Sequence, residues 1–137
     1  MWDSFTAEDI EFIDKHRDSV LKIFIYADLK KDCPYNFEYL RNSLFVGEDI
    51  TVEEYSIYNV GLYCMSCLGD SKYKVVGEVY EVSPETFIYT SKFFKGMPPN
   101  KINLEREGEV FCFMQDIYMK SGILSPNSKG VLSVERS

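Results

Sequence analysis

Lys74-Val75-Val76-Gly77-Glu78-Val79-Tyr80-Glu81-Val82 runs directly into Ser83-Pro84-Glu85, and this junction decides the fold. The first nine residues are rich in Val and Tyr, the types that fit a pleated, half-buried surface, and form the strongest strand pattern in the chain. Gly77 interrupts it with no side chain to pack, which points to a bulge or to the close approach of another group. Ser83 then offers an N-cap, Pro84 a first helical residue whose N–H is not needed, and Glu85 an acid for the first turn. The helix begun there should carry Phe87 and Ile88 inward and stop at Gly96, ahead of Pro98-Pro99.

Downstream, residues 102–106 and 109–115 read as a hairpin turning at Glu107-Gly108. Upstream, Lys22-Ile23-Phe24-Ile25-Tyr26 is a β-branched and aromatic run suited to a buried strand. A loop and a short helix around residues 36–42 follow, then a strand over 52–60 with Tyr55, Ile57 and Asn59 on one side. Residues 61–69 read as a loop between strands. Residues 1–20 read as a helix behind a short anchor. In it Thr6 and Asp9 form a capping-box-like pair, Phe5 and Ile10 a hydrophobic staple, and Ile10, Ile13 and Val20 the inward face. Residues 121–137, with Pro126, Asn127, Ser128 and Gly130, lack periodicity and read as a mobile tail. The expected division is an acidic helical extension at 1–21, a domain at 22–120 and a tail at 121–137.

Composition narrows the function classes. The 137 residues suit one domain, and a 45% apolar share with ten Tyr and ten Phe is ample for a core. A formal charge of −7 argues against non-specific nucleic-acid binding and against docking on an anionic membrane. No apolar run approaches the roughly 20 residues that span a bilayer. The opening Met1-Trp2-Asp3-Ser4 lacks the basic start of a secretory signal, so a cytoplasmic location is expected. The charge is uneven: residues 1–18 carry six acids against two bases, whereas residues 72–106 carry six bases against four acids.

Cys64-x-x-Cys67 is the only close cysteine pair, with Cys33 and Cys112 apart from it and His16 the one histidine. A structural zinc site needs four ligands, usually as two close pairs, so no metal is expected. A redox pair belongs at a helix start after a strand, and this one does not sit there. No phosphate loop, zinc-protease helix or Ser/His/Asp set is present, and no cofactor is expected. His16 reads as an exposed helix residue, and Tyr35, Tyr39, Tyr63 and Tyr73 read as packing aromatics.

The order of the segments is similar to that of the γ-glutamylcyclotransferase-like family. The resemblance rests on Tyr26-Ala27-Asp28-Leu29 with Lys30-Lys31, Asn36 and Leu40, then Leu44-Phe45-Val46-Gly47, Tyr55-Ser56-Ile57-Tyr58, Gly61-Leu62-Tyr63 and Val76-Gly77-Glu78-Val79-Tyr80-Glu81-Val82. It covers residues 22–115. It implies an α/β (mixed α+β) fold, with a small curved barrel-like mixed sheet and flanking helices. In active members a Tyr-Gly-Ser/Thr-Leu turn offers N–H groups to the carboxylate of a γ-glutamyl substrate. A glutamate in a Leu-Glu-Gly-like segment takes a proton from the α-amine, which closes the ring to 5-oxoproline.

This sequence departs at both places. Ala27 and Asp28 replace Gly and Ser/Thr, and Asp28 puts a carboxylate beside an anion-binding turn. Phe94-Lys95-Gly96 stands where Leu-Glu-Gly is expected, so Lys95 takes the base's position. A lysine starts near pKa 10.4 and needs a fall of about three units to act as a base near neutrality. The expected function is therefore a diverged member without the cyclotransferase activity, in effect a pseudoenzyme. It would bind a small polar metabolite or a protein partner through the old pocket. The candidate ligand-binding residues are Tyr26, Ala27, Asp28 and Leu29; Asp28 and Lys95 either form an ion pair across the old pocket or are two independent changes with solvated side chains. One alternative is an active cyclotransferase with a displaced base, Glu78 being the first suspect over Glu81 and Glu85. The other is a pure protein-interaction module.

Overall fold

A computed structural model describes residues 5–69 and 71–134. The residues read as an anchor, 1–4, and the end of the tail, 135–137, lie outside the described residues. In chain order the elements are α1 (Ala7–Lys15), β1 (Leu21–Ile25), α2 (Asn36–Leu40), β2 (Leu44–Ile50), β3 (Ser56–Asn59), β4 (Tyr63–Ser66), β5 (Val76–Val82), α3 (Pro84–Phe93), β6 (Pro99–Leu104) and β7 (Gly108–Phe113).

The hydrophobic run at β5 occupies the interior of a five-stranded mixed sheet of order β2-β5-β1-β7-β6. It pairs antiparallel with β1 over five residues, Leu21↔Val82 to Ile25↔Glu78. On its other side β1 runs parallel to β7 at Ile23↔Phe111 and Phe24↔Cys112. The sheet curls until its two edge strands touch. Thr51 bridges Leu104, and the Glu105 N–H reaches Ile50 O at 2.9 Å. The ladder does not close further, so the sheet is barrel-like rather than a barrel. At this seam the buried Asp49 carboxylate accepts the Arg106 and Glu107 N–H groups, at 3.2 and 2.9 Å, holding the turn between β6 and β7.

Alternation along the strands divides the core in two. Phe24, Val79, Ile102, Val110 and Cys112 pack on one face of the sheet. Ile23, Ile25, Tyr80, Val82 and Phe113 pack on the other, under Phe87 and Phe94 from α3 and the turn after it. Gly77 answers to close approach rather than a bulge. A Cβ there would stand 2.6 Å from Phe24 Cζ and 2.7 Å from Ile25 O. The bulge falls in β2, between Phe45 and Gly47.

Both helix starts follow their sequence signals. Thr6 Oγ1 accepts the Asp9 N–H and Asp9 Oδ2 accepts the Thr6 N–H, while Ser83 Oγ accepts the Thr86 N–H at 3.1 Å. Four expectations need correction. Ile10 and Val20 are 51% and 69% exposed; the inward face of α1 is Phe12 and Ile13, with Phe5 packing beside them. Residues 61–69 contain a strand, β4, whose hairpin with β3 gives Cys64 a cross-strand partner in Tyr58. The strand expected over 52–60 is confined to 56–59, and β2 precedes it. The segment read as a mobile tail packs against the core: Leu132 is fully buried and bridges Val75, and Ile123 bridges Tyr58.

Candidate functional site

β1 ends at Ile25, and the chain then turns sharply. The Lys30 N–H donates to Ala27 O at 2.8 Å, which makes Asp28 and Leu29 the central residues of a β-turn. Among the described residues none but glycine has a positive φ, so Ala27 stands in for the family's Gly without backbone strain. The N–H groups of Asp28 and Leu29 find no acceptor among the described residues. Asp28 Oδ2 accepts the Tyr63 N–H at 3.0 Å, which ties the turn to the start of β4. The Leu29 side chain is fully buried among the residues beneath α3.

Tyr26 is 2% exposed, and its hydroxyl is bonded inside the core. The hydroxyl donates to Phe113 O at 2.9 Å and accepts the Met65 N–H at 3.0 Å. Burial of the ring and hydroxyl holds its pKa well above the ordinary phenol range. Its place is that of a core bolt between β1, β4 and β7.

Glu78 is 2% exposed. Its Oε1 accepts the Lys31 N–H at 2.8 Å and the Tyr80 hydroxyl at 3.0 Å. Asn36 Nδ2 in turn donates to that hydroxyl at 3.0 Å and to Leu29 O at 2.7 Å. Burial first, and the Glu78 charge second, push the Tyr80 phenol far upward. Sequence reasoning passed over Tyr80. The available signal was its position two residues from Glu78, on the same face of one strand.

Lys95 lies in the turn that follows α3. The Met97 N–H reaches Phe94 O at 2.9 Å, Gly96 takes φ +87°, and Phe94 and Met97 are buried on either side. This geometry leaves Lys95 at the exposed apex. Met97 Sδ lies 4.0 Å from the Tyr26 hydroxyl, so the turn packs against the end of β1. Of the two readings, the ion pair does not form: among the described residues none joins Asp28 to Lys95, and Asp28 Oδ2 accepts the Tyr63 N–H instead. The structure thus brings Tyr26, the 27–30 turn and Glu78 together, while Lys95 lies in the turn whose Met97 meets Tyr26 and forms no ion pair among the described residues. A cavity of about 430 Å³ lies at the other end of β1 among Leu21, Lys22, Glu81 and Phe111. It includes none of these candidates.

Three of the four cysteines, Cys64, Cys67 and Cys112, are not poised as nucleophiles. Burial raises the Cys64 and Cys112 thiols, and a hydrogen bond to Asp116 raises Cys67, whereas a nucleophilic cysteine needs a lowered pKa. None of the four is in a disulfide. No group of three or more potential metal ligands occurs among the described residues. His16 ends α1 with its ring 4.3 Å from that of Phe12. Tyr39 stacks on Tyr89 at 4.6 Å, and Glu85 belongs to the first turn of α3. No described helix is long and apolar enough to cross a membrane.

Comparison with known proteins points in one direction. The family described as gamma-glutamyl cyclotransferase, AIG2-like, matches residues 23–90, which takes in the 27–30 turn and Glu78 but stops before Lys95. A Methanocaldococcus jannaschii protein named "Putative gamma-glutamylcyclotransferase MJ1514" is 37% identical over 65 residues. The match is 47% of this chain and 52% of that relative, so the chain spans about half the relative's length. Among solved structures, the Pyrococcus horikoshii protein PH0828 superimposes with a TM-score of 0.64 at 26% identity, over 76% of this chain and 85% of that one. A mouse AIG2-like protein gives 0.58 at 16% identity, over 85% and 97%. Part of Kluyveromyces lactis allophanate hydrolase gives 0.64 at 18% identity, over 82% of this chain and 20% of that one; at such identities the likeness is one of fold. With its sequence match across β1 to α3 and its shared curved sheet, the chain belongs to the γ-glutamyl cyclotransferase, AIG2-like, family.

Proposed function

We propose that this chain lacks the cyclotransferase activity of its family and binds a small polar metabolite with an acidic group at the 27–30 turn and Lys95. The observation that carries the reading is the disposition of charge around that turn. Asp28 and Glu78 both accept backbone N–H groups, from Tyr63 and from Lys31. The exposed charges around the site are Lys31 and Asp32, which follow the turn, and Lys95, in the turn whose Met97 meets the Tyr26 hydroxyl. Cyclisation needs an acceptor for the α-amine proton, and an exposed ammonium has no lone pair to offer. An ammonium at the apex of a turn suits a carboxylate or another small anion, and the turn's two free N–H groups supply further donors.

Two assays test the proposal together. One measures 5-oxoproline released from γ-glutamyl amines and peptides, and the expected rate is that of the buffer. The other measures the melting temperature with succinate, L-glutamate or 5-oxoproline added, since a ligand that binds only the folded chain raises it. At least one of the three is expected to raise it, and Lys95→Glu to abolish the rise. Turnover by the wild type that disappears in Glu78→Gln would establish the displaced-base alternative instead.

A further inference from the structure

Glu78 is drawn into a chain of hydrogen bonds that has no part in the fold's ladders. Its carboxylate holds the Lys31 N–H, just beyond the turn, at 2.8 Å. Through the Tyr80 hydroxyl and the Asn36 amide the same chain reaches Leu29 O, inside the turn. Each proton has one acceptor. Tyr80 gives its only one to Glu78, and Asn36 divides its two between Tyr80 and Leu29. The two ends of this chain grip the loop two residues apart, and Asp28 fixes its other side through Tyr63. An acid 2% exposed is costly to bury, and this one spends its acceptor capacity on a loop amide rather than on a cation.

We infer that Glu78 is a positioning residue: with Tyr80 and Asn36 it sets the conformation of the 27–31 turn and so leaves the Asp28 and Leu29 N–H groups available to a small anion. The ligand half of this inference rests on the reading in the previous section, whereas the positioning half does not. The role needs an acceptor oxygen at the Glu78 tip and does not need a proton to leave or arrive. A glutamine, whose amide oxygen accepts the same two hydrogen bonds, therefore serves in its place, and an alanine does not.

Amide hydrogen exchange of the full chain, without any ligand, isolates the positioning role. In Glu78→Ala the Lys31 amide is expected to exchange at least tenfold faster than in the wild type, after correction by the Ile23 amide in the core of β1. In Glu78→Gln it should stay within about threefold, since hydrogen-bond acceptance persists. Should Glu78→Ala fail to fold, Tyr80→Phe removes one hold on the carboxylate and is expected to accelerate Lys31 in the same sense. Lys31 exchange that follows Ile23 in each folded variant overturns the role, and so does a glutamine variant as fast as alanine. The melting shift with succinate, L-glutamate or 5-oxoproline is read in parallel. A shift kept by Glu78→Gln and lost by Glu78→Ala supports the ligand half. A wild type that shifts with none of the three overturns the ligand half alone, leaving exchange to decide the positioning half.

Discussion

Tyr26 shows how far a single residue can be read from sequence. Its place at the end of an aromatic strand marks it as either a core ring or a pocket liner, and local pattern does not separate the two. The answer lies in its hydroxyl partners, Met65 N and Phe113 O, which are 39 and 87 residues away. Tyr26→Phe keeps the ring and leaves the Met65 N–H without its acceptor in the core. The expected cost is about 1–3 kcal/mol in denaturant unfolding, the usual penalty for an unsatisfied buried donor. Asp28 and Glu78 teach the same lesson. Their types and positions were legible, and their bonds to Tyr63 and Lys31 were not, because both partners are backbone groups that tertiary folding supplies. An Asp28–Lys95 pair is absent, and the Asp28 carboxylate meets the Tyr63 amide instead.

At the scale of elements, local chemistry was legible wherever it acted within a few residues. The Thr6–Asp9 capping box and the Ser83 cap formed as written, and the glycine in β5 marked a close approach. Gly77→Ala places a methyl carbon 2.6 Å from the Phe24 ring and 2.7 Å from Ile25 O. Because one neighbour is backbone, repacking gives little relief, and a loss of about 1–3 kcal/mol is expected by thermal or denaturant melting. The box in α1 also carries a pH signature. The Thr6 N–H, followed by Lys92, holds the Asp9 carboxyl below its ordinary 3.8. A lowered folded-state pKa gives stability that is complete above 3.8 and disappears as pH falls through the folded value. The docking of α1 on α3 should therefore weaken below about pH 4, and Asp9→Asn should remove that part of the acid dependence, as followed by Phe12 side-chain resonances. Elements whose pattern is not periodic were less legible. β4 was hidden by Cys64 and Ser66, and α1 turned Phe12 inward rather than Ile10, because Phe87 of α3 offers a ring to stack on at 5.4 Å.

Across the whole molecule, the sequence resemblance indicated a curved mixed sheet, and contacts of high sequence separation complete it. The Thr51–Leu104 bridge joins the edge strands, Asp49 fastens the seam, and Leu132 fills the core from a segment whose composition suggested a free tail. Leu132→Ala should cost about 2–5 kcal/mol, as for other buried leucines, measured by denaturant unfolding; a cost near zero would mean that the segment does not pack in solution. The uneven charge also gains a location. Lys95, within the base-rich stretch of an otherwise acidic chain, stands at the apex of a turn packed against Tyr26.

That placement leads back to the proposal that the chain keeps its family's turn and lacks its family's proton acceptor. The most direct measurement is the rate of 5-oxoproline formation from a panel of γ-glutamyl amines and peptides, for the wild type and for Lys95→Glu. The account predicts no release above buffer by the wild type on any substrate, and any activity that does emerge to emerge in Lys95→Glu. Release by the wild type on any substrate would contradict it, and loss of that release in Glu78→Gln would identify Glu78 as the displaced base.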